Sequence, residues 1–168
     1  PYPVAFFDLH QEGQDLRMAY MDVKPSGQGN DKTVVLLHGK NFSSFYWRDT
    51  IRFLTQHGFR VVVPDQIGFG KSSKAVLHYS FHQLADNTKK LLDHLGIEKA
   101  TILGHSMGGM LATRFALMYP ETTASLVLVN PIGLEDYRVF VPWIPLAQAY
   151  ESEFKATPES INKFFKNY

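Results

Sequence analysis

The apolar residues of this chain fall into short, unbroken runs that alternate with stretches of helical spacing. Two β-prone segments, 4–9 and 16–23, flank a polar turn and predict a hairpin. Further apolar runs predict strands at 33–37, 61–63, 100–103 and 126–129. Strands without polar alternation are typical of a parallel sheet that is covered on both faces.

Helical spacing occupies the segments between these strands. The pattern predicts helices at 47–57, 80–95 and 107–119, and each ends next to a glycine or a proline. Strand and helix in alternation predict βαβ units. The sequence therefore predicts an α/β fold with a doubly wound, mostly parallel sheet.

From residue 131 onward no further apolar strand is predicted. We predict that residues 1–130 form the core and that residues 131–168 begin a helical lid or cap, with helices at 146–155 and 158–167. The aromatic residues here either line a pocket for an apolar substrate or, as we favour for most of them, pack the lid onto the core. They are Phe140, Trp143, Tyr150, Phe154, Phe164 and Phe165.

Composition narrows the possible functions. The length suits about one soluble domain, and 17 Lys and Arg against 16 Asp and Glu give no electrostatic reason to expect nucleic acid. The absence of cysteine excludes disulfides and thiolate metal sites, and leaves both the cytoplasm and an exported location open. No run of about 18 apolar residues predicts a membrane span. No metal-binding motif such as H-E-x-x-H occurs, so we expect neither a metal nor a cofactor.

Ser106 is the candidate nucleophile. Residues 101–109 read TILGHSMGG, in which G-x-S-x-G directly follows a predicted strand and directly precedes a predicted helix. A sharp turn there strains the serine and exposes its hydroxyl, while Gly104 and Gly108 let the two backbones pass closely. The amides that begin the helix favour a developing negative charge.

Two backbone amides are candidates for an oxyanion hole. One belongs to Met107, and the other to Lys40, which follows the strand at 33–37. The Lys40 side chain is expected to be solvated. We interpret His38, in a tight turn beside Gly39, as structural rather than as the catalytic base.

The segment 64–72 ends in Gly-Lys-Ser, which suggests phosphate binding. A P-loop requires glycine five positions before Gly70, where this chain has Asp65. No G-x-G-x-x-G follows a strand either. We therefore predict a turn held by Asp65 rather than a phosphate or nucleotide site.

Taken together, these segments resemble the α/β-hydrolase superfamily, in its lidded members with a serine nucleophile. The resemblance implies hydrolysis of an ester, thioester or amide bond through an acyl-serine intermediate. We call the sharp strand-to-helix turn at Ser106 the elbow. Members that open epoxides or remove halogen carry aspartate at this position, so Ser106 argues against both reactions. The matching residues are His38, Gly39, Lys40 and Asn41; Asp65, Gly68, Gly70 and Ser72; Gly104, His105, Ser106, Met107, Gly108 and Gly109; and the segment 126–131.

The chain departs from the family order, in which an acid and then a histidine follow the serine. At the end of the strand at 126–129, where some relatives carry the acid, this chain has Asn130, and we expect Glu135 and Asp136 to be solvated. An uncovered strand at 126–129 would also expose an apolar edge. We therefore expect a truncated or nicked longer hydrolase, whose C-terminal part supplies two strands, an acid and a histidine. All seven histidines precede Ser106: His10, His38, His57, His78, His82, His94 and His105.

The leading hypothesis is thus a serine hydrolase acting on a small molecule with an apolar acyl or aromatic group, completed by a C-terminal part. The alternative is a non-catalytic α/β-hydrolase-like ligand-binding domain or an inactive fragment. A histidine downstream of the elbow would favour the enzyme, because serine without a base is a poor nucleophile near neutral pH.

Overall fold

Strands and helices alternate through most of the chain. The computed structural model describes residues 2–136, 139 and 142–167, without the side chains of residues 164, 165 and 167. The strands are β1 Ala5–Gln11, β2 Gln14–Val23, β3 Thr33–Leu37, β4 Arg60–Pro64, β5 Ala100–His105 and β6 Thr123–Val129. The helices are α1 Arg48–Gln56, α2 Phe81–His94, α3 Met107–Met118, α4 Leu146–Phe154 and α5 Pro158–Asn167, and a 3-10 helix at Ser44–Trp47 precedes α1.

One sheet of six strands, in the order β1-β2-β4-β3-β5-β6, organises the first part of the chain. The pairs β1–β2 and β2–β4 are antiparallel, and the pairs from β4 to β6 are parallel. The predicted α/β fold with a mostly parallel sheet is confirmed. The hairpin turn is tighter than predicted, because only Glu12 and Gly13 connect the strands, both with positive φ (48° and 73°).

Successive residues of the central strands face opposite sides of the sheet, and each side is covered by helices. Val35 of β3 belongs to a core cluster with Leu91 of α2 and Phe115 of α3. Its neighbour Leu36 belongs to a second cluster with Ile51 of α1. This explains why the apolar runs do not alternate, since both faces of these strands are buried.

Strand β6 differs from this expectation. It pairs with β5 along one edge, and no strand among the described residues pairs with its other edge. Leu126, Val127 and Val129 remain 39, 39 and 37% exposed. The sequence predicted a strand that requires cover on both faces, and an exposed apolar edge where further strands are missing; among the described residues that edge is exposed.

The chain divides into two compact units, Pro1–Leu134 and Glu135–Tyr168. The first contains the sheet with α1 to α3, and the second contains α4 and α5. The predicted boundary lay at residue 130. No helix among the described residues is both long enough and apolar enough to cross a membrane.

Candidate active site

Ser106 lies at the sharp turn between β5 and α3. Its backbone angles, φ 56° and ψ −118°, are unusual for a residue with a side chain and cost about 1–3 kcal/mol. Neighbouring backbone holds it there: its N–H donates to the Val129 carbonyl at 3.1 Å, and its carbonyl accepts from the Ile132 N–H at 3.2 Å. These two hydrogen bonds, to the last residue of β6 and to the segment after it, hold the turn between β5 and α3 in place.

Three glycines make this turn sterically possible. A Cβ on Gly104 would overlap the Gly108 carbonyl, and a Cβ on Gly108 would overlap the Leu37 carbonyl at the end of β3. A Cβ on Gly109 would stand 2.6 Å from the Pro131 Cβ. The motif glycines therefore permit strand, helix and neighbouring loop to approach one another, as the spacing predicts.

The loop after β3 lies directly beside the elbow. A Cβ on Gly39 would stand 3.2 Å from the Ser106 Cβ and 3.2 Å from His105 Nδ1. The loop closes as a turn in which the Phe42 N–H donates to the Gly39 carbonyl at 3.2 Å, with Asn41 at φ 66°. Lys40 thus lies in a turn whose first residue, Gly39, is adjacent to Ser106.

Met107 is the first residue of α3, where backbone amides have no intrahelical acceptor. The N-terminal end of a helix also carries a partial positive charge. Both properties are those required of an oxyanion donor. The oxyanion roles of Lys40 and Met107 remain predictions.

His38 is fully buried and uses both ring nitrogens in structural hydrogen bonds. The Gln66 N–H donates to Nε2 at 3.0 Å, so the ring proton sits on Nδ1, which donates to the Gly39 carbonyl at 2.9 Å. Burial lowers the pKa of His38 below 6.5. A neutral imidazole occupied in this way ties the loop after β3 to the loop after β4.

The Asp65 carboxylate holds the loop after β4. One oxygen accepts from the Ser44 N–H at 2.6 Å, and the other accepts from the Lys71 N–H at 2.8 Å. A Cβ on Gly70, which has φ 50°, would overlap this carboxylate. The side chain fills the centre of the loop that a P-loop would leave for phosphate.

The His105 ring forms its hydrogen bond with a residue other than Ser106. Its Nδ1 lies 3.1 Å from the Tyr46 hydroxyl, and the rings of Phe42 and Trp47 pack around it. Burial lowers its pKa. Sequence reasoning missed Tyr46 as a residue of the site, because only the folded chain brings the 3-10 helix to the end of β5.

A general base for Ser106 is missing from the described part of the chain. No described side chain forms a hydrogen bond with the Ser106 hydroxyl. His10 pairs with Asp15, and His57 bonds to the Phe53 carbonyl. Within the described residues there is also no group of three or more His, Asp or Glu side chains that could hold a metal ion.

The second unit presents aromatic side chains to solvent. Trp143, Tyr150 and Phe154 are 72, 71 and 83% exposed. Phe140 lies outside the described residues, as do the side chains of Phe164 and Phe165. The role of this unit as a lid remains a prediction.

Comparison with known proteins places these features in a family. A sequence profile of the α/β-hydrolase fold matches residues 32–166. A 2-hydroxy-6-oxo-6-phenylhexa-2,4-dienoate hydrolase of Burkholderia cepacia is 39% identical over 133 residues, which cover 77% of this chain and 45% of that enzyme. The crystal structure of a probable hydrolytic enzyme from Pseudomonas aeruginosa PAO1 is 49% identical with a TM-score of 0.89, over 97% of this chain and 53% of that one.

A thermophilic esterase from Thermogutta terrifontis is 29% identical with a TM-score of 0.68, over 79% of this chain and 47% of that one. The chain thus spans about half the length of these relatives. Because the profile matches residues 32–166 and the structural match extends over 97% of the chain, this chain belongs to the α/β-hydrolase family.

Proposed function

We propose that this chain carries the nucleophile and oxyanion-binding residues of a serine hydrolase that cleaves an ester-type bond in a small molecule. The observation that carries the proposal is the backbone of Ser106, with φ 56° and ψ −118° between a parallel strand and a helix. A strained non-glycine residue persists only where its surroundings enforce the strain, and such residues cluster at active sites.

The reaction follows from this arrangement. The Ser106 oxygen attacks the substrate carbonyl carbon, and the carbonyl oxygen takes the negative charge. The amides of Met107 and Lys40 stabilise that charge, with support from the N-terminal end of α3. The leaving group departs with a proton, and water then hydrolyses the acyl-serine.

Proton transfer needs a base, which we propose a C-terminal segment of the protein supplies together with its acid. Two observations support this: the apolar outer side of β6 is exposed, and the relatives are about twice as long as this chain. A segment that pairs with β6 would lie one strand away from β5, whose end leads into Ser106. In the family order, acid and histidine follow the serine.

Residues 131–168 are proposed to begin a helical lid. The exposed aromatic residues of α4, Tyr150 and Phe154, support this role, since large apolar side chains at a protein surface mark binding regions. A lid excludes water from the acyl-serine until hydrolysis.

A second substrate class comes from the relatives. The Burkholderia cepacia enzyme is named for a 2-hydroxy-6-oxo dienoate, and its 39% identity makes such a keto acid a candidate substrate. Parallel assays with an aryl ester and with that dienoate discriminate between the two classes. The remaining alternative, a ligand-binding domain without catalysis or an inactive fragment, predicts turnover of neither.

The test is covalent labelling of the protein expressed from the complete reading frame that contains residues 1–168. A fluorophosphonate should add once, and intact mass under denaturing conditions should show one adduct. The adduct should disappear in Ser106→Ala and persist in Ser125→Ala, whose exposed hydroxyl bonds only to the Ala124 carbonyl. Labelling that survives Ser106→Ala, or no labelling at all, would overturn the proposal.

A further inference from the structure

An apolar pocket lies beside the proposed oxyanion-binding residues. It has a volume of about 430 Å³ and is walled by the loop after β4, the segment before α2 and the start of α3. Its main apolar side chains are Phe69, Ala75, Tyr79, Phe81, Leu84 and Met107. All of them belong to the first compact unit.

Two observations place the pocket close to Ser106. Met107, which lines the pocket, directly follows Ser106 in the chain. Phe69 packs edge-on against the His38 ring with centroids 5.1 Å apart. His38 directly precedes Gly39 in the loop after β3, which lies beside Ser106. A group attached to a carbonyl at Ser106 therefore has this pocket next to it.

The polar groups around the pocket already have partners within the protein. The Lys74 ammonium donates to the carbonyls of Gly70 and Ser72 at 2.5 and 3.0 Å. The Tyr79 hydroxyl donates to the Ala75 carbonyl at 2.8 Å. A charged or strongly polar ligand would lose its hydration here without gaining a partner, whereas an apolar ligand loses nothing.

The aromatic wall is held in place before any ligand arrives. The Tyr79 ring lies over Gly68, where a Cβ would stand 3.2 Å from the ring, and Gly68 has φ 95°. The Tyr79 hydroxyl also donates to the Ala75 carbonyl, so two contacts hold the hydroxyl end of the ring. A preformed wall lowers the entropy cost of binding.

We propose that this pocket binds one uncharged alkyl or aryl group attached to the scissile carbonyl, which makes apolar esters the preferred substrates. This inference rests on the proposed function and adds the substrate class to it. The occupant is hydrocarbon because every charged or hydroxyl group named at the wall already bonds to backbone. Phe69, Tyr79 and Phe81 set the length and shape that fit.

The kinetic test places a larger side chain at Ala75, a half-buried lining residue, so that this side chain occupies part of the pocket. In the full-length protein, Ala75→Phe should lower the preference for p-nitrophenyl hexanoate over the acetate by about tenfold in kcat/KM, the loss expected when two buried methylene groups are excluded. The preference is the ratio of the two kcat/KM values, so a general loss of activity in the variant cancels. Val76→Phe is the matched control, because Val76 is 92% exposed and does not line the pocket.

A second variant tests the pocket independently, in case Ala75→Phe does not fold. Phe81→Ala enlarges the pocket and should move the optimum toward longer or bulkier acyl groups. A chain-length preference that is identical in Ala75→Phe, Phe81→Ala and Val76→Phe would overturn the proposal.

Binding without turnover separates this inference from the proposed function. In Ser106→Ala protein, 2-octanone should bind at least tenfold more tightly than acetone, and Ala75→Phe should remove that difference. If 2-octanone binds in this way but no ester is hydrolysed, the assignment of the pocket as an apolar binding site is supported and the hydrolase proposal fails. If esters are hydrolysed but 2-octanone shows no advantage, the pocket assignment fails alone.

Discussion

Strands β5 and β6 are neighbours with similar apolar sequences, yet their surroundings differ sharply. Ile102 of β5 is fully buried, while Leu126, its register partner on β6, is 39% exposed. Strand β5 lies between β3 and β6 and leads into the elbow, whereas β6 has a neighbour on one side only. The strand that leads into Ser106 is therefore paired on both edges, whereas the outer edge of β6 is unpaired among the described residues.

The comparison teaches that positioning a nucleophile and activating it depend on different parts of the fold. The Ser106 backbone is held by β5, α3 and the end of β6, all present in this chain. Proton transfer requires groups that approach from beyond β6. Experiments that act on one side and spare the other test this division.

The largest expected effect is at the elbow glycines. In Gly104→Ala the new methyl group overlaps the Gly108 carbonyl, so backbone must move and the free energy of unfolding should fall by about 3 kcal/mol or more. Gly27→Ala is the control, because a Cβ there meets no atom within 4 Å. Urea unfolding measures both. Similar stability losses in the two variants would contradict tight packing at the elbow.

A smaller effect is expected at the open strand. Residues 1–168 produced alone should self-associate through β6, and Val127→Lys should weaken that association about tenfold, since a charge on an edge strand opposes pairing. Phe53→Lys, which removes a 59% exposed aromatic residue from α1, should leave it unchanged. Sedimentation velocity distinguishes these outcomes.

The same substitution should have the opposite consequence in a full-length protein whose C-terminal part covers β6. There Val127→Lys buries a charge and should lower the free energy of unfolding by about 2 kcal/mol. An unchanged stability in that protein would show that β6 stays open, and the proposed source of the base would lose its support.

The smallest effect is a pH dependence confined to the elbow side. Because burial lowers the pKa of His38 below 6.5, the unfolded chain binds protons before the folded one, so stability should fall as the pH drops below 6.5. The slope is at most about 1.4 kcal/mol per pH unit for one histidine. Strand β6 contains no titratable side chain, so it should not contribute.

Urea unfolding at pH 7.5 and pH 5.5 measures this change, and hydrogen exchange locates it. The Gln66 amide, which donates to His38 Nε2, should lose protection first. His38→Gln should reduce the difference in stability between the two pH values whatever its stability at neutral pH. An unaltered difference would assign the acid sensitivity to another group.

Local patterns were sufficient to predict the elements and the sharp strand-to-helix turn at Ser106. The run Thr33–Leu37 was predicted as a strand from its apolar residues, and the helix at Met107–Met118 from its spacing and the following proline. Ser106 was predicted because glycines, strand and helix all lie within a few residues of it. In each case the deciding interaction is local in the chain.

Contacts between distant segments could not be predicted in the same way. The Tyr46–His105 hydrogen bond joins residues 59 positions apart, and the Ser44–Asp65 bond joins residues 21 apart. The apolar run at 126–129 predicted a strand that needs cover, but the run could not specify which residues of the chain provide that cover. The 430 Å³ pocket likewise combines three segments that carry no common motif.

By itself, therefore, the sequence determined the α/β architecture, the elbow glycines and the identity of the serine, because backbone sterics and residue periodicity act over short distances. Only the tertiary structure decided that His38 is a neutral link between two loops, that His105 bonds to Tyr46, and that β6 is open. The physical reason is that burial and hydrogen-bond pairing belong to neighbours in space, which the order of residues does not specify.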